Sequence, residues 1–380
     1  MQVSKFTSFT ALSASYQQLF KTAGNEWYDY SLAWFENFVH TALDERERIC
    51  IYGAERNGGQ ANEPIAAIAM KYKDRSSGFF SVRSLSSLAN FYTITFGPVG
   101  NPSIGDFNLA LRALAASICS ESPRWDFVHL RPLDPVSPSF QSLLKSFQDA
   151  GMVVQTYSCF GNWYLPVEGL SFDEYFSTLP SAMQNTIRRK SKKLQKTGRS
   201  RIDIITSADG LEPAIAAYES VYLSSWKRPE PYPKFVAGLI RTLAAQGWLR
   251  MGIVSLDNQP IAAQVWIVNA GRATIYKLAH DQKFDEFSAG SILTSRLIQQ
   301  VLDVDKVSEI DFGSGDDPYK KNWLPKCRER LGILAMNPRS LQGCMGIVRH
   351  VGGRAAKAAW QAIRSPLRKL KTSAGSASAS

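Results

Sequence analysis

Arg272-Ala273-Thr274-Ile275-Tyr276-Lys277-Leu278-Ala279-His280-Asp281 continues through Gln282–Phe287 into Ser288-Ala289-Gly290-Ser291-Ile292-Leu293. Arg272–Leu278 has the composition of a strand, and Ser288–Gly290 is a turn of small residues. Ser291–Leu302 then places Ile292, Leu293, Leu297, Ile298, Val301 and Leu302 at helical spacing on one face. A further strand is expected at Val307–Phe312. Upstream, Leu249–Leu256 and Ile261–Val268 form an expected hairpin across Asp257-Asn258. Asp209–Ser225 and Pro233–Ala245 precede it as helices, and Gly247 stops the second. Antiparallel strands, then a helix, then another strand describe an α+β fold with a mixed, mostly antiparallel sheet flanked by helices. Neither GxGxxG nor GxxxxGK[ST] occurs, so a Rossmann or P-loop site has no support.

The first half echoes this pattern. Glu63-Pro64-Ile65-Ala66-Ala67 returns as Gln259-Pro260-Ile261-Ala262-Ala263, each after a strand-like run and a polar turn. Trp125-Asp126-Phe127 is echoed by Ile310-Asp311-Phe312 in the same order. Two ordered echoes point to a duplicated domain. The expected organisation is an N-terminal domain over 1–165, a second over 166–340, and a basic tail over 341–380 that ends in Ser/Ala-rich sequence.

Net charge is +11, but it is concentrated. Residues 188–201 hold eight Lys or Arg, residues 341–380 hold seven, and neither segment holds an acid. Without those fifteen cations the remainder stands at −4, which argues against a broad nucleic-acid surface. Residues 181–197 are expected to form a helix capped by Ser181, with Met183, Ile187 and Leu194 in one apolar line. Its cations either are simply solvated or form a wall that attracts an acidic substrate, with Arg188 and Lys192 as binding candidates. The five scattered cysteines and four scattered histidines form no metal-ligand spacing, so no metal is expected. Free cysteines, no signal-like segment and no long apolar run point to a cytoplasmic protein.

The small-residue turn at Ser288–Ile292 has two readings. It caps and eases the helix start, or its N–H groups hold an anion at the positive end of the helix dipole. His280, Asp281 and Asp311 lie at expected strand ends, where each is either an acid–base group or a local hydrogen bonder. Trp226 is either a core residue or the wall of an acceptor pocket. The nearest first-half counterpart of the turn, Gly97-Pro98-Val99-Gly100, loses an N–H donor at Pro98.

Together with Asp311-Phe312-Gly313-Ser314-Gly315-Asp316, Tyr319-Lys320 and the upstream run from Leu179-Pro180 to Gly198, these residues resemble the GNAT acyltransferase superfamily. The closer similarity is to its CelD-like branch, associated with cellulose and exopolysaccharide biosynthesis, which shares the duplicated fold of FemAB-like transferases. The resemblance implies two tandem GNAT-like domains, the first degenerate and the second catalytic. It implies acetyl-CoA or another acyl-CoA as donor, held by Lys277, Ser288, Ala289, Gly290, Ser291, Ile292 and Lys320. Catalysis falls to His280, Asp281, Asp311 and Tyr319, and acceptor binding to Arg188, Lys192 and Trp226. The implied acceptor is an amine or hydroxyl of a sugar, a polysaccharide precursor or another small polar molecule. The alternatives are aminoacyl transfer from charged tRNA, as in FemAB relatives, and a non-catalytic partner in polysaccharide synthesis. In residues 341–371, cations interleaved with Ile347, Val348, Val351, Trp360, Ile363, Leu367 and Leu370 suit either an anionic membrane surface or a helix packed on the domain.

Overall fold

Proline is where the duplication becomes physical. In the computed structural model, which describes residues 1–57, 62–73 and 81–352, Pro64 and Pro260 occupy equivalent places in two antiparallel hairpins. Proline donates no ladder hydrogen bond, and each is followed by one extra residue, Ile65 or Ile261, in a β-bulge. Both isoleucines are buried, so the bulge redirects an apolar side chain into a core in each half.

In the first half, β1 (Gln2–Phe6), β2 (Glu47–Asn57) and β3 (Asn62–Lys73) pair in turn, antiparallel. β4 (Ser84–Ser87) and β5 (Val99–Gly100) also join β3, and β6 (Phe127–Leu133) lies parallel to β4. β7 (Val153–Pro166) follows. In the second half, β8 (Ser200–Ile205), β9 (Leu249–Leu256), β10 (Gln259–Asn269) and β11 (Arg272–His280) pair antiparallel in turn. β12 (Glu309–Asp311) lies parallel to β11, and β13 (Lys326–Met336) ends the sheet-forming chain. The sheet order is β1-β2-β3-β4-β6-β13-β7-β12-β11-β10-β9-β8. Read inward from either edge, the two halves repeat until the centre, where the last strands cross: β13 pairs with β6, and β7 with β12.

The helices complete three layers. α1 (Ala14–Gly24), α2 (Leu32–Ala42), α7 (Leu211–Leu223) and α8 (Pro233–Ala245) cover one face and share a single core with strands of both halves. On the other face, α3 (Phe107–Ser120) and α4 (Pro138–Asp149) cover the first half. α5 (Phe172–Thr178), α6 (Ser181–Gln195) and α9 (Ala289–Gln299) cover the second, and α10 (Leu341–Ile347) follows β13. The shared core and crossed strands mean that hydrogen bonding and packing run straight across residue 165.

Several expectations shift. The Asp257-Asn258 turn has φ of 52° and 63°, as a two-residue hairpin requires. α6 spans Ser181–Gln195, but its N-cap is Pro180, and Ser181 makes no cap bond. The second echo is out of register: strand pairing sets Arg272 opposite Glu309 and Ser84 opposite Phe127, so Asp311 corresponds to His129, three residues beyond Asp126. Val99–Gly100 belong to β5, and the first-half counterpart of α9 is α3, whose N-cap, Asp106, pairs with Arg56 at 2.7 Å. A carboxylate at that helix end repels an anion. The tail expected over 341–380 is described only to residue 352; the remainder lies outside the described residues.

Candidate active site

β11 and β12 pair over three residues only, Arg272–Thr274 against Glu309–Asp311. Beyond Thr274, β11 runs on to His280, while the other chain turns away through Gly313 (φ 62°) and Gly315 (φ 100°). Such left-handed backbone favours glycine. A wedge-shaped gap opens between the two strands. Its apex is locked by charge. Asp311 Oδ1 accepts from Asn162 Nδ2 at 2.8 Å and from the Gly313 N–H at 2.5 Å, and Oδ2 accepts from Arg328 Nη2 at 2.5 Å. Arg328 also forks onto Glu309 at 3.0 and 2.8 Å, and Arg272 donates to Glu309 at 2.7 Å. Asp311 is 1% exposed with both oxygens engaged, so it acts here as the clasp of the gap, not as a base facing solvent.

Two cavities flank the gap, of about 190 and 530 Å³, and Leu278 and Tyr319 line both. An extra residue in β11, Tyr276, bulges against β10 between the pairs Val265–Lys277 and Trp266–Ile275. Its hydroxyl donates to the Tyr92 carbonyl at 2.9 Å, which ties β11 to a first-half loop. Phe91, Tyr92 and Ile94 from that loop wall the smaller cavity. The first half is thus part of the site, a contribution with no sequence signal, because the contact spans 184 residues.

The larger cavity holds His280, Trp226, Ser288, Gly290, Ser291 and Tyr319. His280 Nε2 lies 3.1 Å from Asp285 Oδ1, and Trp226 packs on the ring at 4.5 Å between centroids. Trp226 is 49% exposed, so it is a cavity wall and not a core residue. A Cβ at Gly290 would sit 3.3 Å from His280 Nδ1; glycine lets the start of α9 approach the imidazole this closely. Ser288 adopts a left-handed conformation (φ 52°) and makes no side-chain cap bond. The N–H groups of Ala289 and Gly290 find no acceptor among the described residues. At the start of a helix these are anion-binding donors. Ile292 is buried beneath the turn and contributes packing.

Gln264 fixes the turn. Its Nε2 donates to Gly290 O at 2.9 Å and Thr294 Oγ1 at 2.8 Å, while Trp266 Nε1 donates to its Oε1 at 2.8 Å. A glutamine within the apolar run Ala262–Ile267 was the available signal for this residue.

The other candidates are placed elsewhere. Asp281 is buried and accepts from the Lys283 N–H at 3.0 Å as cap of a 3-10 helix, Gln282–Phe287. Lys277 reaches into the smaller cavity and pairs with Glu230 at 2.6 Å, away from the Ser288 turn. Glu230 also accepts from Tyr92 Oη at 2.5 Å. Burial raises the Glu230 carboxyl, but Lys277 and these hydrogen bonds outweigh it and hold the group below its ordinary range. Lys320 is buried and grips its own loop, donating to Ser314 O at 2.7 Å and Gly315 O at 3.2 Å. Neither lysine reaches a phosphate at α9. Tyr319 remains accessible at 43%; the packing around its hydroxyl, followed by Asp317, pushes the phenol up to about 12. It therefore carries its proton throughout the neutral range.

α6 lies beside this cavity. Lys190 donates to the Glu286 carbonyl and Lys193 to its carboxylate, both at 2.5 Å, binding the helix to the segment before Ser288. Arg188 covers the Phe176 ring at 5.1 Å. Arg188 and Lys192 line a groove with Arg189, Lys193 and Lys196, outside both cavities. They can attract an anion but do not touch the gap. Among the described residues, no helix is long and apolar enough to cross a membrane.

Residues 181–321 match the family described as Acetyltransferase (GNAT) domain. No curated protein matches. Among solved structures, the crystal structure of FemX is similar with a TM-score of 0.59 at 11% identity, covering 87% of this chain and 96% of FemX. A conserved protein of unknown function from Bacteroides thetaiotaomicron has a TM-score of 0.54 at 11% identity, covering 87% of this chain and all of that one. At such identities the likeness shows the fold, which is the GNAT-like α+β arrangement, its sheet mixed and flanked by helices.

Proposed function

We propose that this chain transfers an acyl group from acyl-CoA to an amine or hydroxyl of a small polar acceptor, a sugar or polysaccharide precursor being the preferred class. The observation that carries this reading is the wedge-shaped gap, with the free N–H groups of Ala289 and Gly290 on one side and a separate polar cavity on the other. The residues fit such a donor. The α9 dipole adds about half a positive charge where the pyrophosphate would rest, and the exposed cations of α6 stand alongside. Trp226 and Tyr319 would line the path toward the gap.

Of the four candidate catalytic residues, His280 and Tyr319 line one cavity, and His280 Nδ1 and Tyr319 Oη have no hydrogen-bond partner among the described residues. His280, oriented by Asp285, would take the acceptor proton; Tyr319 Oη would return one to the departing thiolate. The raised phenol stays protonated through the neutral range, as a donor to the thiolate must.

The test is free thiol release from acetyl-CoA, with and without amino sugars. Acceptor-dependent release that is lost in His280→Ala supports the assignment. Release only with charged tRNA, abolished by RNase, would replace it with aminoacyl transfer, for which the α6 groove is the favouring feature. No release with any donor would leave a non-catalytic role.

We also propose peripheral contact with an anionic membrane, placing the protein at the inner surface. Leu341, Met345 and Val348 are 68%, 59% and 72% exposed at helical spacing, within a segment bearing seven cations and no acid. The full chain is expected to co-sediment with vesicles containing anionic lipid at low salt, and a Leu341→Ser/Met345→Ser/Val348→Ser variant at least several-fold less. Equal sedimentation of the two would refute the contact.

A further inference from the structure

The smaller cavity contains an unmatched cation. Lys227, Lys277 and Lys320 line it, and the carboxylates about it are Glu230 and Asp317. Lys277 pairs with Glu230 at 2.6 Å and Lys320 with Asp317 at 3.4 Å. Lys227 forms no ion pair among the described residues; its ammonium lies near the rings of Tyr222 and Trp226, at 5.9 and 5.7 Å, and Glu230 and Asp317 act on it only from beyond ion-pair distance. Asp311 and Asp316 also act on Lys320, so of the three lysines Lys227 is the one whose ammonium has no carboxylate at ion-pair distance among the described residues. An isolated cation in a half-enclosed site is costly unless something neutralises it.

We propose that Lys227 is the recognition residue for an acidic group, a carboxylate or phosphate, on the acceptor. This rests on the acyl-transfer reading and deepens it. The cavity, at about 190 Å³, is the volume of roughly six waters, so it takes one end of a molecule and not the whole. Tyr92 and Phe312 wall it with flat aromatic surface, and Tyr319 lines both it and the larger cavity. An acceptor seated there places its acid on Lys227 and directs its nucleophile past Leu278 toward His280 and Tyr319. Acceptors lacking the acid leave the ammonium desolvated and unpaired. That is discrimination by an unmet, half-buried charge. Burial, and then the repulsion of Lys277, lower the Lys227 ammonium to about 8, and an anion opposite it would restore the ordinary value.

The probes are benzoate and its neutral isostere benzamide, titrated calorimetrically into the full chain. The wild type is expected to bind benzoate at least tenfold more tightly. Lys227→Arg keeps that preference, and Lys227→Met loses it while still binding acetyl-CoA. Equal binding of the two probes by the wild type, or an unchanged preference in Lys227→Met, overturns the proposal. Loss of the preference in Lys227→Arg as well as Lys227→Met also overturns it, because a cation suffices for recognition. A benzoate preference without any thiol release would remove the proposed reaction and leave the anion site standing. Thiol release without the preference would do the reverse.

Discussion

Tyr319→Phe is expected to lower kcat for acyl transfer by about 100-fold or more, with KM for the donor changed little. Tyr319 lines both cavities, and its phenol, pushed up to about 12, remains protonated at working pH. Loss of a positioned proton donor costs about 10²–10⁴ in rate. The ring would stay in place, because its edge-on contact with Phe312, at 5.9 Å between centroids, does not involve the oxygen. Thermal stability should therefore be unchanged, which separates a chemical effect from a structural one. A variant with wild-type kcat would remove Tyr319 from the mechanism. A raised KM alone would make it a binding residue.

Arg328→Met should destabilise the fold by about 3–5 kcal/mol, the range expected when one member of a buried ionic cluster is removed. Arg328 is bound to both Glu309 and Asp311, and Asp311 is 1% exposed. Without the guanidinium, Arg272 still serves Glu309, but Asp311 Oδ2 loses its cation. Lysine should rescue only part, because it cannot fork between two carboxylates. Urea denaturation of the three proteins measures the difference, and a loss below about 1 kcal/mol would show that the cluster is dispensable. The pH dependence has a fixed sign. Burial pushes the Glu309 carboxyl up, but Arg328 and Arg272 outweigh it and hold the group below its ordinary range. Its stabilisation is present above the unfolded carboxylate range and is lost as pH falls through the folded value. The gap between wild type and Arg328→Met should therefore narrow in acid.

Local pattern was sufficient where backbone chemistry is local. Pro233–Ala245 and Leu249–Leu256 match their expected bounds, and the Asp257-Asn258 turn has the positive φ its residues favour. The Pro64 and Pro260 echo survives because a missing N–H forces the same bulge in both hairpins. The other echo failed by three residues, since short tripeptide matches carry no register. β8, at an edge, was hidden by the cations before it, and β13 by having no local partner.

The candidate site was legible as a stretch of chain but not as a set of side-chain environments. Sequence alone determined the α+β class, the duplication and the strand–turn–helix at 272–293, all of which follow from periodicity and backbone constraints within a few residues. Only the tertiary structure decided which charged groups are free. Asp311, Lys320 and Lys277 are held in ion pairs, the two lysines at a cavity wall, whereas Tyr319, Trp226 and Lys227 face a cavity without one among the described residues. Adjacency in the chain says nothing of this. A charge is made available or is neutralised by strands brought together from across the sheet: Asn162 on β7 and Arg328 on β13 meet Asp311 on β12.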